Sequence, residues 1–361
     1  MERRETACRG CLLGMAVGDA MGYTVDKKDW DEICRDYGPN GLLGYDLVNG
    51  SAEITSYTQM AAFAANGLLL GVFRGKTERY GQYIAMGLRE WAKSQQFRGA
   101  AEKTYCWLAQ VGRMRRRFCM DTRMLDALSR DVLGTPEKPV IPSTTPGALT
   151  TAVAVGLLYD PEWMDYAQVG RLGAEAVAVT HGTPEAFLAG AVLAYAIAGI
   201  LREPEKPPAQ LFLQAADTAQ AQFEQTWPQV KQVTDLVRKA IDLTKDPELS
   251  PLASLSLLGC TTAAECLAGA VYASVAHMAN FDEGMITAVN HSGRSAAVGA
   301  VTGAILGAKL GAEALPEFYL ESLEQVDVLM EFADDVARGR QVMRIFDDSW
   351  DLKYNQGIPA K

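Results

Sequence analysis

Two aspartates near the start of the chain, Asp19 and Asp26, have the side-chain type that acid–base catalysis uses. A pair of carboxylates can share the roles of proton donor and proton acceptor when their environments differ. The alternative, which we favour, is structural: Asp19 caps the end of a helix or pairs with Arg294. The sequence contains no glycine-rich phosphate loop and no Gly-x-Ser-x-Gly nucleophile elbow that would point to another chemistry.

The chain has only three histidines, His181, His277 and His291, which are too few for a histidine-rich metal site. His181 follows Thr180 at a predicted helix start, and that position indicates a capping or packing role. His291 lies close in sequence to Arg294, so a functional role and a structural role both stay open for it.

Glycine recurs at every fourth position in two distant segments, at residues 10, 14, 18 and 22 and at residues 299, 303, 307 and 311. On a helix these positions share one face. Each glycine there costs up to about 1 kcal/mol relative to alanine, so such a helix needs a neighbour pressed close against it. Because two faces of this kind can interlock, we expect the two segments to pack together and to bring Asp19 near Arg294.

Charge, hydrophobicity and cysteine content argue against several classes of protein. The net charge of −10 argues against non-specific binding to nucleic acid, and the basic run at residues 113–117 indicates a solvated helix face or an anion contact. The longest apolar run, residues 186–201, is shorter than the roughly 20 residues of a membrane span, so we predict a buried core helix and no membrane partner. The charged opening residues and seven scattered cysteines predict a cytoplasmic protein without a signal peptide.

Stretches rich in alanine and leucine with helical periodicity dominate the sequence. They predict helices at residues 6–22, 55–73, 78–95, 101–115, 122–131, 147–158, 162–180, 184–201, 208–224, 229–243, 262–278, 281–289, 295–311 and 322–337. Two short segments, 42–48 and 342–346, are strand candidates. No fixed-period repeat appears, which argues against a solenoid. We therefore expect one all-α domain over residues 1–361.

Several motifs along the chain resemble those of the ADP-ribosylglycohydrolase family. They are Gly18-Asp19-Ala20-Met21-Gly22, the carboxylate of Asp26, Tyr37-Gly38-Pro39-Asn40-Gly41, Thr180-His181-Gly182, Gly259 with Ala264-Glu265-Cys266-Leu267, and Ala288-Val289-Asn290-His291. The resemblance covers nearly the whole chain in order. It implies the family's orthogonal multi-helix bundle, and an activity that removes ADP-ribose from proteins or small molecules with two Mg²⁺ or Mn²⁺ ions.

This sequence differs from the family's motifs at the positions of the metal ligands. Hard divalent cations prefer carboxylate oxygens, which the family supplies from Thr-Asp-Asp-Thr and Gly-Asp-x-Asp-Thr motifs. The first is replaced here by Thr55-Ser56-Tyr57-Thr58, and the second by Gly293-Arg294-Ser295-Ala296-Ala297. The arginine of a third family motif is also lost, in the segment 147–154. The loss of four aspartates from two distant segments predicts that this chain binds no metal pair and has no cofactor.

The leading hypothesis is therefore a cytoplasmic family member that has lost metal-dependent hydrolysis and keeps a cleft for ADP-ribose, a nucleotide or a related anion. The residues expected to line that cleft are Thr55, Ser56, Tyr57, Asn290, His291, Arg294 and Ser295. Tyr57 offers a ring for stacking, and Arg294 offers a charge for phosphate.

Two alternatives stay open. The first is a working hydrolase that uses Asp19, Asp26 or Glu53 without metal or with one weakly held ion. The second is a structural or partner-binding protein, which the resemblance allows because the family includes relatives of lens crystallins. The sequence names no protein partner.

Overall fold

A computed structural model describes residues 2–96, 104–118, 122–130, 132–339 and 348–358. Within them the chain folds into α-helices joined by short turns and isolated β-bridges, with no sheet, so the predicted all-α class is confirmed. The helices are α1 (Glu2–Tyr23), α2 (Trp30–Tyr37), α3 (Ser56–Phe73), α4 (Tyr80–Gln96), α5 (Thr122–Ser129), α6 (Thr151–Leu157), α7 (Tyr166–Ala178), α8 (Pro184–Arg202), α9 (Pro208–Phe223), α10 (Val230–Leu243), α11 (Pro251–Leu258), α12 (Ala263–Ala276), α13 (Phe281–Val289), α14 (Ser295–Leu310), α15 (Glu317–Ser322), α16 (Val326–Arg338) and α17 (Asp348–Tyr354).

The strand predicted at residues 42–48 is wrong. This segment is irregular, apart from one bridge between Val48 and Ser51. The Asn290 side chain takes the place of a neighbouring strand: its Oδ1 accepts from the Leu42 amide and its Nδ2 donates to the Leu42 carbonyl, both at 2.8 Å. The second strand candidate, 342–346, lies outside the described residues.

The helix predicted at residues 101–115 is also wrong where the structure describes it. Residues 104–115 contain only two 3₁₀ turns, Trp107–Gln110 and Arg113–Arg115. The Thr104 hydroxyl accepts from the Cys106 amide at 2.9 Å, which gives the backbone a local alternative to a helical bond. Four short helices, α2, α11, α15 and α17, were not predicted, although Asp29 and Ser250 cap two of them in the usual way.

The predicted packing of the two glycine faces is confirmed. Helices α1 and α14 run antiparallel, so that Gly10, Gly14 and Gly18 face Gly307, Gly303 and Gly299 in turn. A Cβ atom on any of these six residues would collide with the backbone carbonyl opposite. The same register places Gly22 against Ser295, while Gly311, just past the end of α14 with φ of +89°, lies beside Thr6. The two backbones are therefore in direct contact along most of both helices.

Helix α8 has the length and apolar composition of a membrane span, and among the described residues it is the one helix that meets that test. However, 78% of its apolar stretch is buried inside the fold, where it packs against α6, α7 and α9. It therefore occupies the place of a core helix, as the sequence predicts.

We expect Gly303→Ala to lower the free energy of unfolding, although alanine is intrinsically the better helix former. The added methyl group would meet the Gly14 carbonyl and force the helices apart, at a cost of about 1–3 kcal/mol or more. The control is Gly44→Ala, where nothing lies within 4 Å of the new methyl group. Urea unfolding of both variants measures the difference, and a stabilised Gly303→Ala protein would contradict the backbone contact.

Candidate functional site

Four segments meet where α1 ends. The antiparallel packing of α1 and α14 brings the last turn of α1 to the first turn of α14, with Gly22 against Ser295. The N-terminus of α3 joins them through Asp19, and the turn after α1 contributes Asp26. Asp19, Asp26, Thr55, Arg294 and Ser295, all predicted site residues, are therefore brought together.

Asp19 anchors the start of α3. Its carboxylate is fully buried and accepts four hydrogen bonds: Oδ2 from the amide of Thr55 at 2.8 Å and from the amide and hydroxyl of Thr58 at 3.1 and 2.6 Å, and Oδ1 from the Thr55 hydroxyl at 2.6 Å. The helix-capping role predicted for Asp19 is confirmed, whereas pairing of Asp19 with Arg294 is wrong. No sequence pattern indicated that Thr58 would complete this set of donors.

Burial raises the pKa of Asp19 to about 6, against the lowering effect of the bonds from Thr55 and Thr58. A value near neutrality resembles that of a general acid or base. The geometry opposes that role, because both carboxylate oxygens are already engaged within the protein and the side chain is shielded from solvent. Asp19 is thus a buried structural charge at the positive end of a helix.

Arg294 lies between Asp26 and Tyr57. Its Nε atom is 3.4 Å from Asp26 Oδ2, and its Nη2 donates to the Tyr57 hydroxyl at 3.2 Å. Asp26 also accepts at Oδ1 from the Ala296 amide at 3.2 Å, which ties the turn after α1 to the first turn of α14. Burial raises the pKa of Asp26, and the charge of Arg294 opposes that rise. Arg294 thus forms an ion pair with Asp26, without the alignment of a hydrogen bond.

Most of the residues predicted to contact a ligand are buried. Thr55, Ser56, Tyr57, His291 and Ser295 are each at most 1% exposed. The Tyr57 ring therefore fills the interior instead of presenting a face for stacking, and burial raises the pKa of its hydroxyl. This corrects the prediction of an open stacking ring.

His291 and Asn290 hold the chain before α14. The His291 Nε2 atom lies 3.1 Å from the Ala288 carbonyl, and burial lowers the pKa of its imidazole to about 4. The ring is thus neutral near pH 7. Asn290 donates to the carbonyl of Ile286 as well as that of Leu42, both at 2.8 Å, so its side chain is committed to structure. The buried His291 Nδ1 atom has no hydrogen-bond partner among the described residues.

His181 likewise has a packing role. It is fully buried, with Nε2 3.0 Å from the Thr145 hydroxyl and Nδ1 2.9 Å from the Thr180 hydroxyl. The structural interpretation of this residue is confirmed.

A rim formed by residues 111–118 was not predicted. Arg116 pairs with Glu53 at 2.5 Å and lies over the Phe118 ring at 4.7 Å, while Phe118 meets Tyr23 edge to face at 5.0 Å. Glu53, considered above as a catalytic alternative, is only 3% exposed and already has this cationic partner. Arg116 of the basic run thus pairs with an internal carboxylate, and a contact of the run with an external anion stays a prediction.

The donor set does not fit a pair of divalent cations. Among the described residues no group of three or more Asp, Glu, His or Cys side chains is placed to hold a metal ion. Of the two carboxylates at the end of α1, Asp19 has both oxygens engaged and Asp26 faces a guanidinium. Mg²⁺ requires about six oxygen ligands at short range, and a cation beside Arg294 would be repelled.

Comparison with known proteins agrees with this architecture. The family model for ADP-ribosylglycohydrolase matches residues 1–345. A solved structure described as an "ADP-ribosylglycohydrolase-related protein complex" superimposes with a TM-score of 0.57, covering 94% of this chain and 100% of its own at 22% identity. At that identity the likeness carries the fold alone. No curated protein matches the sequence.

We expect Asp19→Asn to change how stability depends on pH. The pKa of Asp19 is raised from 3.8 to about 6 on folding, so its contribution to stability is fully present below pH 3.8 and is lost as pH rises through 6. The unfolding free energy of the wild type, relative to the variant, should fall by roughly 3 kcal/mol across that window. The opposite contribution of His291 is common to both proteins and cancels. Urea unfolding at several pH values tests this, and parallel pH profiles would contradict it.

We expect Arg294→Ala to destabilise the protein by about 3–5 kcal/mol, because it leaves Asp26, whose side chain is 2% exposed, as an unpaired buried charge. Adding Asp26→Asn should recover part of that loss by removing the stranded charge. Arg238→Ala is the control: its partners Asp217 and Asp235 are exposed, so the change should be below about 1 kcal/mol. Equal effects of the two arginine variants would argue against a buried pair.

Proposed function

This chain belongs to the ADP-ribosylglycohydrolase family, and we propose that it is a single-domain, cytoplasmic member that has lost metal-dependent hydrolysis and binds ADP-ribose or a related phosphate-bearing ligand. The observation that carries the proposal is the position of Arg294, whose guanidinium lies against Asp26 and the Tyr57 hydroxyl. The permanently charged guanidinium of Arg294 thus lies among the residues that correspond to the family's metal motifs.

The loss of hydrolysis is supported by what occupies the two motif segments. The positions at which the family resemblance implies aspartates carry Ser56, Tyr57, Arg294 and Ala296. None of these four side chains is a carboxylate, so none supplies an anionic oxygen ligand, and Ser56, Tyr57 and Ala296 are also buried. Without a metal to polarise the ribose hydroxyls and a water, the reaction would need an acid–base pair. Asp19 and Glu53 are both engaged in structural contacts.

Binding of an anion is supported by electrostatics. The N-termini of α3 and α14 meet at this site, where Asp19 and Asp26 already accept from amides at the two helix starts. The charge that could attract an anionic ligand is therefore that of Arg294. The Arg294 side chain is 17% exposed, so it can present a cationic edge to a ligand while keeping its internal contacts. Arginine recognises phosphate through paired donors.

The free cysteines support the proposed location. None of Cys8, Cys11, Cys34, Cys106, Cys260 and Cys266 forms a disulfide within the described parts of the chain, as in proteins of reducing compartments.

Calorimetry with ADP-ribose, ADP and inorganic phosphate tests the binding function. We expect the wild type to give saturable heat below millimolar ligand. Arg294→Lys keeps the charge but not the paired donor geometry, so its affinity should be at least tenfold weaker. Arg238→Ala should bind as the wild type does. Elemental analysis after dialysis against Mg²⁺ or Mn²⁺ should find fewer than two equivalents of metal.

Three outcomes would overturn parts of this proposal. Two equivalents of retained metal would reinstate a dinuclear centre. Release of ADP-ribose from a modified protein that persists in a chelator would favour a metal-free hydrolase, with Asp26 as the residue to test first. Heats equal to dilution for all three ligands would favour a structural or partner-binding protein.

A further inference from the structure

The C-terminal strap, residues 348–358, lies beyond the part of the chain that matches the family model. It begins with the short helix α17 and packs against α3, α16 and the segment around Trp107. A helix of seven residues is not stable alone in water, so α17 owes its structure to this docking.

A buried ion cluster holds the centre of the strap. The Lys353 side chain is 7% exposed and pairs with Asp335 at 2.6 Å and Glu331 at 2.5 Å, both on α16. The Tyr354 hydroxyl donates to the same Asp335 oxygen at 2.8 Å. Loss of one partner would leave a buried charge unpaired, which costs free energy. We therefore expect these contacts to form together and to break together.

Aromatic contacts join the strap to Trp107. Trp350 and Tyr354 stack with centroids 4.8 Å apart, the Trp107 indole donates to the Tyr354 hydroxyl at 3.4 Å, and Lys353 Nζ lies 4.7 Å from the Trp107 ring centre. Nearby, Gly357, with φ of +68°, lies so close to the Thr104 carbonyl that a Cβ there would collide with it. The strap therefore covers the beginning of the segment 104–118.

The other end of that segment is the rim of the candidate site. The Arg116 carbonyl accepts from Gln59 of α3 at 3.1 Å, its guanidinium pairs with Glu53, and Phe118 contacts Tyr23. One continuous piece of chain, mostly without helix, thus connects the strap to the N-terminus of α3.

From these contacts we infer that the C-terminal strap is a detachable clamp that positions residues 104–118 and, through them, closes the rim over the site beside α3. When the strap undocks, the segment loses its anchor at Trp107, and the contacts of Arg116 and Phe118 weaken. The conclusion that undocking exposes a ligand site rests on the function proposed above. The coupling between the strap and residues 104–118 does not rest on it.

Hydrogen exchange on full-length variants tests the link. Lys353→Ala removes the buried cation, and Leu352→Ala alters the neighbouring side chain, which is 41% exposed. We expect Lys353→Ala to raise exchange at least tenfold in residues 348–358 and 104–118 and measurably in residues 55–59, with α1 and α14 unchanged. Leu352→Ala should leave all of these as in the wild type.

The inference fails if the strap exchanges faster while residues 104–118 keep wild-type protection, or if Lys353→Ala leaves the strap itself protected. Loss of protection in α1 and α14 would instead mean general unfolding. In that event Tyr354→Phe, which removes one hydroxyl only, must raise exchange in both segments, or the inference is wrong. Faster ADP-ribose association in Lys353→Ala would support control of access. If exchange rises in both segments as expected but no variant binds ADP-ribose, the clamp is supported and the proposed ligand is rejected.

Discussion

The direct contact between the backbones of α1 and α14 is the constraint on which the rest of this structure depends. Without side chains at the facing positions, the two helices approach until carbonyl groups of one meet the Cα atoms of the other. This fixes the end of α1 against the start of α14. Smaller versions of the same contact, Gly67 with Gly87 and Gly173 with Gly190, join α3 to α4 and α7 to α8. Several helix pairs of this fold thus approach each other closely at facing glycines.

The charges of the site follow from that geometry. Asp19 projects from α1 towards the α3 N-terminus, where four hydrogen bonds compensate its burial. Asp26, one turn beyond the helix, reaches α14 and finds Arg294. Asp19 therefore compensates the start of α3, and Asp26 compensates the Arg294 guanidinium and the first turn of α14.

Sequence reasoning recovered the elements with a strong pattern and missed those that depend on tertiary partners. Four-residue glycine spacing identified the α1–α14 pair, because the spacing is itself the contact surface. The described segment 42–48 has the sequence pattern of a strand, but apart from the bridge at Val48 only Leu42 has strand-like hydrogen bonds, and Asn290 from a distant helix end provides them. Burial of Tyr57 could not be read from its motif, since its partners come from distant segments: Arg294 donates to its hydroxyl and Thr150 donates to its backbone carbonyl. The role of each site residue as a ligand contact stays a prediction.

The Arg294 arrangement also limits which single substitutions this site would tolerate. An aspartate at position 294 alone would place a second carboxylate beside Asp26 with no cation between them. An aspartate at position 57 alone would bury a carboxylate where a ring now fills the core. Each carboxylate introduced singly is therefore unfavourable, and a site rich in carboxylates becomes accessible only through several substitutions made together.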